Sequence, residues 1–271
     1  MQLSLAFSPC PNGTFIFDAL VHHRIDTRGL TFDVRLGDVE ELNRSAFSGV
    51  MDVTKLSYHA FGYLTDTYEL LPAGSALGRG VGPLLVTASP TWQPTDPAAP
   101  IAIPGAYTTA NYLLGLAYPH LNNKTEVLFS DIEARVLSGE FAAGLLIHEN
   151  RFTYHERGLH KVADLGEYWE RTTGLPIPLG GIAIKRSLPA AVKRQVGVLV
   201  AQSVRYAFDH PAASADFVAR HAQEMDPEVR RQHIELYVNE YSLDLGKEGR
   251  RAVEAFLTQG RARGVLPALS T

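Results

Sequence analysis

An uninterrupted apolar run, Phe141-Ala142-Ala143-Gly144-Leu145-Leu146-Ile147, stops abruptly at His148. So short a run, preceded by Ser138-Gly139, fits a strand buried on both faces of a parallel sheet better than a surface strand. His148 then stands at the strand's carboxyl end, and in open α/β sheets the ligand crevice lies just beyond those ends. An imidazole titrates near neutral pH, which suits proton transfer. The competing reading is a structural histidine bonded to a neighbouring carbonyl.

The rest of the chain repeats strand, loop and helix. Leu3, Leu5 and Phe7 alternate with Gln2, Ser4 and Ala6 as a first strand. It runs into Ser8-Pro9-Cys10-Pro11-Asn12-Gly13-Thr14, where two prolines stiffen the turn and a helix opens with Asn12 or Thr14 as its expected cap. Backbone N–H groups at that helix start suit an anionic ligand group, and equally a plain cap. Residues 30–36 alternate as a second strand, and Asp38-Val39-Glu40-Glu41 caps the helix after it. A third strand over residues 50–56 finishes in Thr54-Lys55-Leu56-Ser57-Tyr58. Lys55 and Ser57 there either hold a carboxylate or serve as a surface lysine and a helix cap. Gly78-Arg79-Gly80-Val81-Gly82-Pro83 is no dinucleotide loop, because a β-type run and not a helix follows its glycines.

Four prolines within residues 89–100 mark the expected crossing into a second domain. Beyond them Ile101-Ala102-Ile103 leads through a Pro-Gly turn to Thr108-Thr109, placed to cap a helix over residues 110–118. Two further strands lead to His148, and residues 175–184 read as the return crossing. From Leu188 onward the pattern is helical, and these helices are expected to cover the first domain. The expected layout is α/β with two domains: residues 1–92 plus 180–271 as the larger, and 98–178 as an inserted smaller one.

Composition narrows the partners. A chain of 271 residues, 45% hydrophobic and 20% charged, can bury a sizeable core, and no long uncharged apolar stretch suggests a membrane span. Its net charge of -4 leaves no basic surplus for nucleic acid, so a small molecule is the expected partner. The start lacks a secretion-signal pattern, which points to the cytoplasm. The one cysteine, Cys10, excludes an internal disulfide and a multi-cysteine metal site, and reads as a small buried residue rather than a nucleophile. His155 and His160 are five apart, which spoils the apparent metalloprotease motif, and no G-x-S-x-G elbow is present. His22, His23, His59, His120, His210, His221 and His233 fall on expected helices or their ends and read as surface or packing residues.

Taken together, Ser8-Pro9-Cys10-Pro11-Asn12, Thr54-Lys55-Leu56-Ser57-Tyr58, Gly78-Arg79-Gly80-Val81-Gly82-Pro83-Leu84, Thr108-Thr109-Ala110 and Ile147-His148-Glu149-Asn150-Arg151-Phe152-Thr153-Tyr154 resemble the 1,4-dihydroxy-6-naphthoate synthase family of the futalosine pathway to menaquinone. The resemblance covers nearly the whole chain. It implies a periplasmic-binding-protein-like type II fold with a ligand cleft between its two domains. It implies cleavage of cyclic dehypoxanthinyl futalosine, a small-molecule carboxylate, to 1,4-dihydroxy-6-naphthoate and dihydroxyacetone, with no metal and no cofactor. On that resemblance His148 is the proton acceptor. Lys55, Leu56, Ser57, Thr108 and Thr109 bind substrate, joined by Ser8 and Asn12 of the first loop and by Arg151. The family loop usually continues Asn-Asp-Thr where this chain has Asn12-Gly13-Thr14. A modest loss of stability or affinity is expected from Gly13, with Asp restoring it. Two rivals share the architecture: a cytoplasmic or exported solute-binding protein, which needs no base, and the sister enzyme that dehydrates chorismate.

Overall fold

The computed structural model describes residues 1–223 and 226–268. Its strands are β1 (Gln2–Phe7), β2 (Thr31–Leu36), β3 (Val53–Ser57), β4 (Tyr68–Leu70), β5 (Ala76–Gly78), β6 (Leu84–Thr87), β7 (Ile101–Ile103), β8 (Lys124–Glu126), β9 (Ala143–Leu146), β10 (His160–Asp164) and β11 (Ile177–Lys185). They form two sheets. In the first, ordered β2-β1-β3-β11-β4, β1 is parallel to β2 and β3, while β11 runs antiparallel to β3 and β4 and also pairs with β5. In the second, ordered β10-β6-β9-β7-β8, β7 is parallel to β8 and β9, while β6 is antiparallel to β9 and β10. All four residues of β9 are buried, as the apolar run dictates, but only one of its neighbours is parallel. No helix among the described residues is long and apolar enough to cross a membrane.

The proline-rich stretch is not the crossing between sheets. β6 precedes it yet pairs with β9 and β10, so the chain passes from the first sheet to the second over residues 79–83. Residues 84–92 therefore lie with the segment expected to start at 98, and β11 returns to the first sheet from Ile177. A loop rich in proline marks where the backbone cannot hydrogen-bond in a ladder, which is as true inside a domain as between two.

The C-terminal helices divide their roles. Helix Ala190–Asp209 lies on helix Pro11–Val21, as expected, with Ser203 Oγ donating to the Ile16 carbonyl at 2.6 Å. Helix Gly246–Ala262 packs on β11 of the first sheet, as expected, and reaches the second side as well. Phe256 stacks on Tyr112 of helix Thr109–Ala117 at 3.9 Å between centroids, and the Tyr112 hydroxyl donates to the Phe256 carbonyl at 2.7 Å. One apolar cluster thus joins Leu56 and Phe61 from the first-sheet side to Leu85, Ile101 and Leu145 of the second sheet.

The first loop caps its helix differently from expectation. Cys10, not Asn12 or Thr14, is the N-cap of helix Pro11–Val21, with Pro11 at the first position, where a missing N–H is harmless. Thr14 Oγ1 donates instead to the Cys10 carbonyl at 3.2 Å. A Cβ at Gly13 would sit 2.4 Å from the Ser8 carbonyl oxygen, a backbone atom. Gly13→Asp should therefore lower the melting temperature, with a loss of about 1–3 kcal/mol from overpacking. This replaces the expectation that Asp restores stability, and an unchanged or raised melting temperature would show that the Ser8 loop yields.

Candidate active site

The carboxyl ends of β1, β3, β7 and β9 converge on one cleft of about 670 Å³, mouth included. Asn12, Lys55, Leu56, Ser57, Thr108, Thr109 and His148 all line it, so most of the residues singled out in the sequence meet in one place. They do so because each sits where a strand stops and its chain turns outward, as the crevice rule for α/β sheets requires.

Each loop is fixed by its own hydrogen bonds. Ser57 is clamped by Asn43, which accepts from the Ser57 N–H at 2.9 Å and donates from Nδ2 to Ser57 Oγ at 3.0 Å. Thr108 caps helix Thr109–Ala117 by accepting from Asn111 N–H at 3.3 Å, and its hydroxyl donates to the Gly105 carbonyl at 2.8 Å. Thr109 Oγ1 donates to the Leu179 carbonyl on β11 at 2.6 Å, tying the two sheets together at the cleft. With both hydroxyl hydrogens engaged, the anion donors at this wall are the backbone N–H groups of the first helical turn, which have no acceptor inside the helix.

Lys55 donates to Ser8 Oγ at 2.9 Å, and burial holds its ammonium below the usual lysine range. Ser8 is fully buried and does not line the cleft, and its hydroxyl oxygen accepts from Lys55 behind the wall. His148 adopts φ 60°, a left-handed conformation uncommon for a residue with a Cβ and shared in this chain by His23 and Arg28 outside the cleft. Burial first, and the Lys55 charge second, pull its pKa down to about 3, so the ring is neutral. Cys10 Sγ lies 3.8 Å from His148 Nε2. Burial and the nearby Glu149 push its thiol up to about 12, which removes the thiolate that a nucleophile needs.

Arg151 departs from expectation. Its guanidinium donates to the Gly82 carbonyl and lies 3.3 Å from Asp164, and it does not line the cleft. Asp164 in turn caps helix Leu165–Thr173, so Arg151 braces the loop after His148 against the loop leading into β6. A guanidinium with five donors satisfies such a crossroads better than a ligand in an adjoining cavity does.

His233 departs in the opposite sense. Read as a packing residue, it lies fully buried in the cleft wall, its ring stacked 6.0 Å from that of His148. Its Nε2 is 3.2 Å from Asn12 Oδ1 and its Nδ1 is 3.4 Å from Glu149 Oε2. The signal in the sequence was the spacing of His233 and Tyr237, four apart on helix Pro227–Tyr237, both of which line the cleft. Atoms of His148, Glu149 and His233 lie within 4.8 Å of one another, a closeness at which such groups can share a cation or a proton. His59 does behave as a packing residue. It is buried, bonded through Nδ1 to the Thr108 carbonyl at 3.2 Å, and its pKa is lowered to about 4 by burial.

Comparison with known proteins gives the family and the fold. Residues 3–262 match a family profile described as menaquinone biosynthesis. Two relatives called 1,4-dihydroxy-6-naphtoate synthase are similar over nearly their full lengths. That of Streptomyces coelicolor is 46% identical over 98% of this chain and 95% of its own. That of Thermus thermophilus is 47% identical over 97% and 95%. A crystal structure of protein AF1704 from Archaeoglobus fulgidus superposes with a TM-score of 0.93 at 34% identity, covering 98% of both chains. At 14% identity, the alkanesulfonate-binding protein SsuA from Xanthomonas axonopodis, solved with MOPS, superposes with a TM-score of 0.70 over 98% of this chain and 94% of its own. A Candida albicans protein described as having the generic periplasmic binding protein fold gives 0.71 at 12% identity, over 100% and 92%. The architecture is thus periplasmic-binding-protein-like, and the chain belongs to the menaquinone biosynthesis family.

Proposed function

We propose that the protein is a carbon–carbon lyase that cleaves cyclic dehypoxanthinyl futalosine to 1,4-dihydroxy-6-naphthoate and dihydroxyacetone, with His148 as general base. The observation that carries this reading is a neutral imidazole held in a strained backbone conformation at the inner end of an interdomain cleft. A passive binder needs hydrogen-bond donors at that point and gains nothing from a ring whose lone pair is kept free. Relatives bearing the synthase name at nearly half identity, over nearly the whole chain, favour the lyase over the chorismate dehydratase.

The substrate carboxylate is received by Lys55 and the first-turn N–H groups of helix Thr109–Ala117, on opposite walls. It neutralises the Lys55 charge that holds His148 down, so binding itself raises the basicity of the ring. His148 then takes a proton from the substrate while the electron pair of the breaking bond moves into the forming aromatic system. Aromatisation supplies the driving force, and domain closure about the cleft keeps water from the intermediate.

His148→Ala should keep its melting temperature and its affinity for 1,4-dihydroxy-6-naphthoate, yet lose roughly 10²- to 10⁴-fold in turnover. Assays offering cyclic dehypoxanthinyl futalosine or chorismate should develop a naphthoate chromophore with the first alone. Full turnover by the alanine variant would take His148 out of the mechanism, and affinity without turnover of either compound would establish the solute binder.

The electrostatics fix the sign of a pH effect. A base must be unprotonated, so activity falls as pH drops through the pKa of His148. Because Lys55 depresses that pKa, Lys55→Met should move the acid limb of kcat/KM to higher pH. In the unmodified protein, the acid limb of kcat should lie above that of kcat/KM, since the bound anion offsets Lys55. A limb that does not move in the variant would separate the two groups. If His148, Glu149 and His233 share a proton rather than a cation, dialysis against EDTA should leave turnover unchanged. Loss of activity restored by a divalent ion would reassign the cluster.

A further inference from the structure

The hydrogen bonding around His233 has one proton too few as a neutral ring beside a carboxylate. Asn12 presents its amide oxygen to His233 Nε2 at 3.2 Å, and an amide oxygen only accepts, so Nε2 carries the hydrogen. A neutral imidazole protonated at Nε2 has a lone pair at Nδ1, and that lone pair faces Glu149 Oε2 at 3.4 Å. Two acceptors at this distance repel unless a proton lies between them, and both groups are buried, His233 completely and Glu149 to 4% exposure. From this geometry we infer that Glu149 and His233 hold a single proton between them, and that His233 delivers it to the departing product as the acid partner of His148.

The inference rests on the lyase reading for its chemistry. Cleavage neither consumes nor releases a net proton, so one taken must be returned. His148 removes the proton of a substrate hydroxyl, whose oxygen becomes the carbonyl of dihydroxyacetone as the C–C bond breaks. The electron pair of that bond passes through the ring system to an oxygen of the forming naphthoate, which must gain a proton to become a hydroxyl. His233 gives up its Nε2 hydrogen to that oxygen beside Asn12, on the cleft wall, and takes the Glu149 proton at Nδ1 in exchange. The cycle ends with His148 as imidazolium and Glu149 as carboxylate. Proton transfer back across the stacked rings, 6.0 Å apart, restores the start.

The surroundings favour holding the proton on the acid side of the pair. Burial first, and then the Lys55 ammonium and any proton on His148, lower the His233 pKa well below that of free imidazole, which disfavours a doubly protonated ring. Facing the pair are His148 from the loop after β9, Lys55 from β3, Cys10 and Asn12 from the first loop, and Tyr237 one helical turn on. Burial pushes the Tyr237 hydroxyl up to about 12, and Arg151 and Asp164 lie beyond it.

Glu149→Gln tests this with little change of shape. Glutamine can donate an N–H to His233 Nδ1 and keep the ring in place, but it has no proton to release. Turnover should fall roughly 10²-fold or more while KM and the affinity for the naphthoate product stay as they were. Proton and ¹⁵N NMR of histidine-labelled protein supplies a readout that needs no substrate. The unmodified protein should show an exchange-protected downfield proton bridging His233 Nδ1 and Glu149 in addition to the Nε2 hydrogen. Glu149→Gln should lose the bridging signal and keep the other. Wild-type kcat in the glutamine variant, or one hydrogen in all on His233 and its Glu149 contact in the unmodified protein, would overturn the inference. Failure of the protein to cleave the proposed substrate, with the bridging proton present, would instead count against the lyase reading.

Discussion

A lysine ammonium withdrawn from bulk water, with a serine hydroxyl as its hydrogen-bond partner, is the constraint around which this molecule is arranged. Taking such a charge into a cleft is costly unless something compensates it, and among the described residues Lys55 meets Ser8 rather than a carboxylate. On the proposed reading the compensation comes from the substrate carboxylate. Burial first, and this charge after it, lower the pKa values of the neighbouring imidazoles, so on the proposed reading an arriving anion meets a cationic anchor and a neutral base within one cavity.

Much of this was legible because the relevant information is local. A strand that ends in a polar cluster delivers that cluster to the crevice whatever the rest of the chain does, which is why Lys55, Ser57, Thr108, Thr109 and His148 gather as their positions suggested. Side-chain caps are similarly local: Asp38 accepts from the Glu40 and Glu41 N–H groups, and Thr108 accepts from Asn111 N–H in the same manner. What escaped depends on contacts distant in sequence. His233 reaches Asn12 across 221 residues, and the four-residue spacing of His233 and Tyr237 marks a shared helix face without naming what that face meets. Arg151 sits close to a strongly marked motif, yet its guanidinium is claimed by a carbonyl 69 residues earlier. The Asn12 and Thr14 caps failed because Pro11 takes the first helical position and moves the cap back to Cys10.

The scaffold itself says little about chemistry. Proteins that bind alkanesulfonates share its outline at very low identity. The chemistry here is in the content of the cleft, where His148 is held left-handed and set against a second imidazole and a carboxylate. Stored backbone strain of this kind persists only if surrounding contacts over-determine it, and the Arg151 brace between the β9 loop and the loop leading into β6 supplies some of that restraint.

The stack of Phe256 on Tyr112 bears on how the chain could be taken apart. A segment inserted between two halves of another domain is often pictured as a module that can be excised, but here the closing helix reaches over and shares its ring and carbonyl with the insert. Trimming the protein to its first sheet would strip the cover from Phe256, and trimming it to the second would leave Tyr112 facing solvent. Neither fragment inherits a complete interior, so the two sheets depend on each other for their packing.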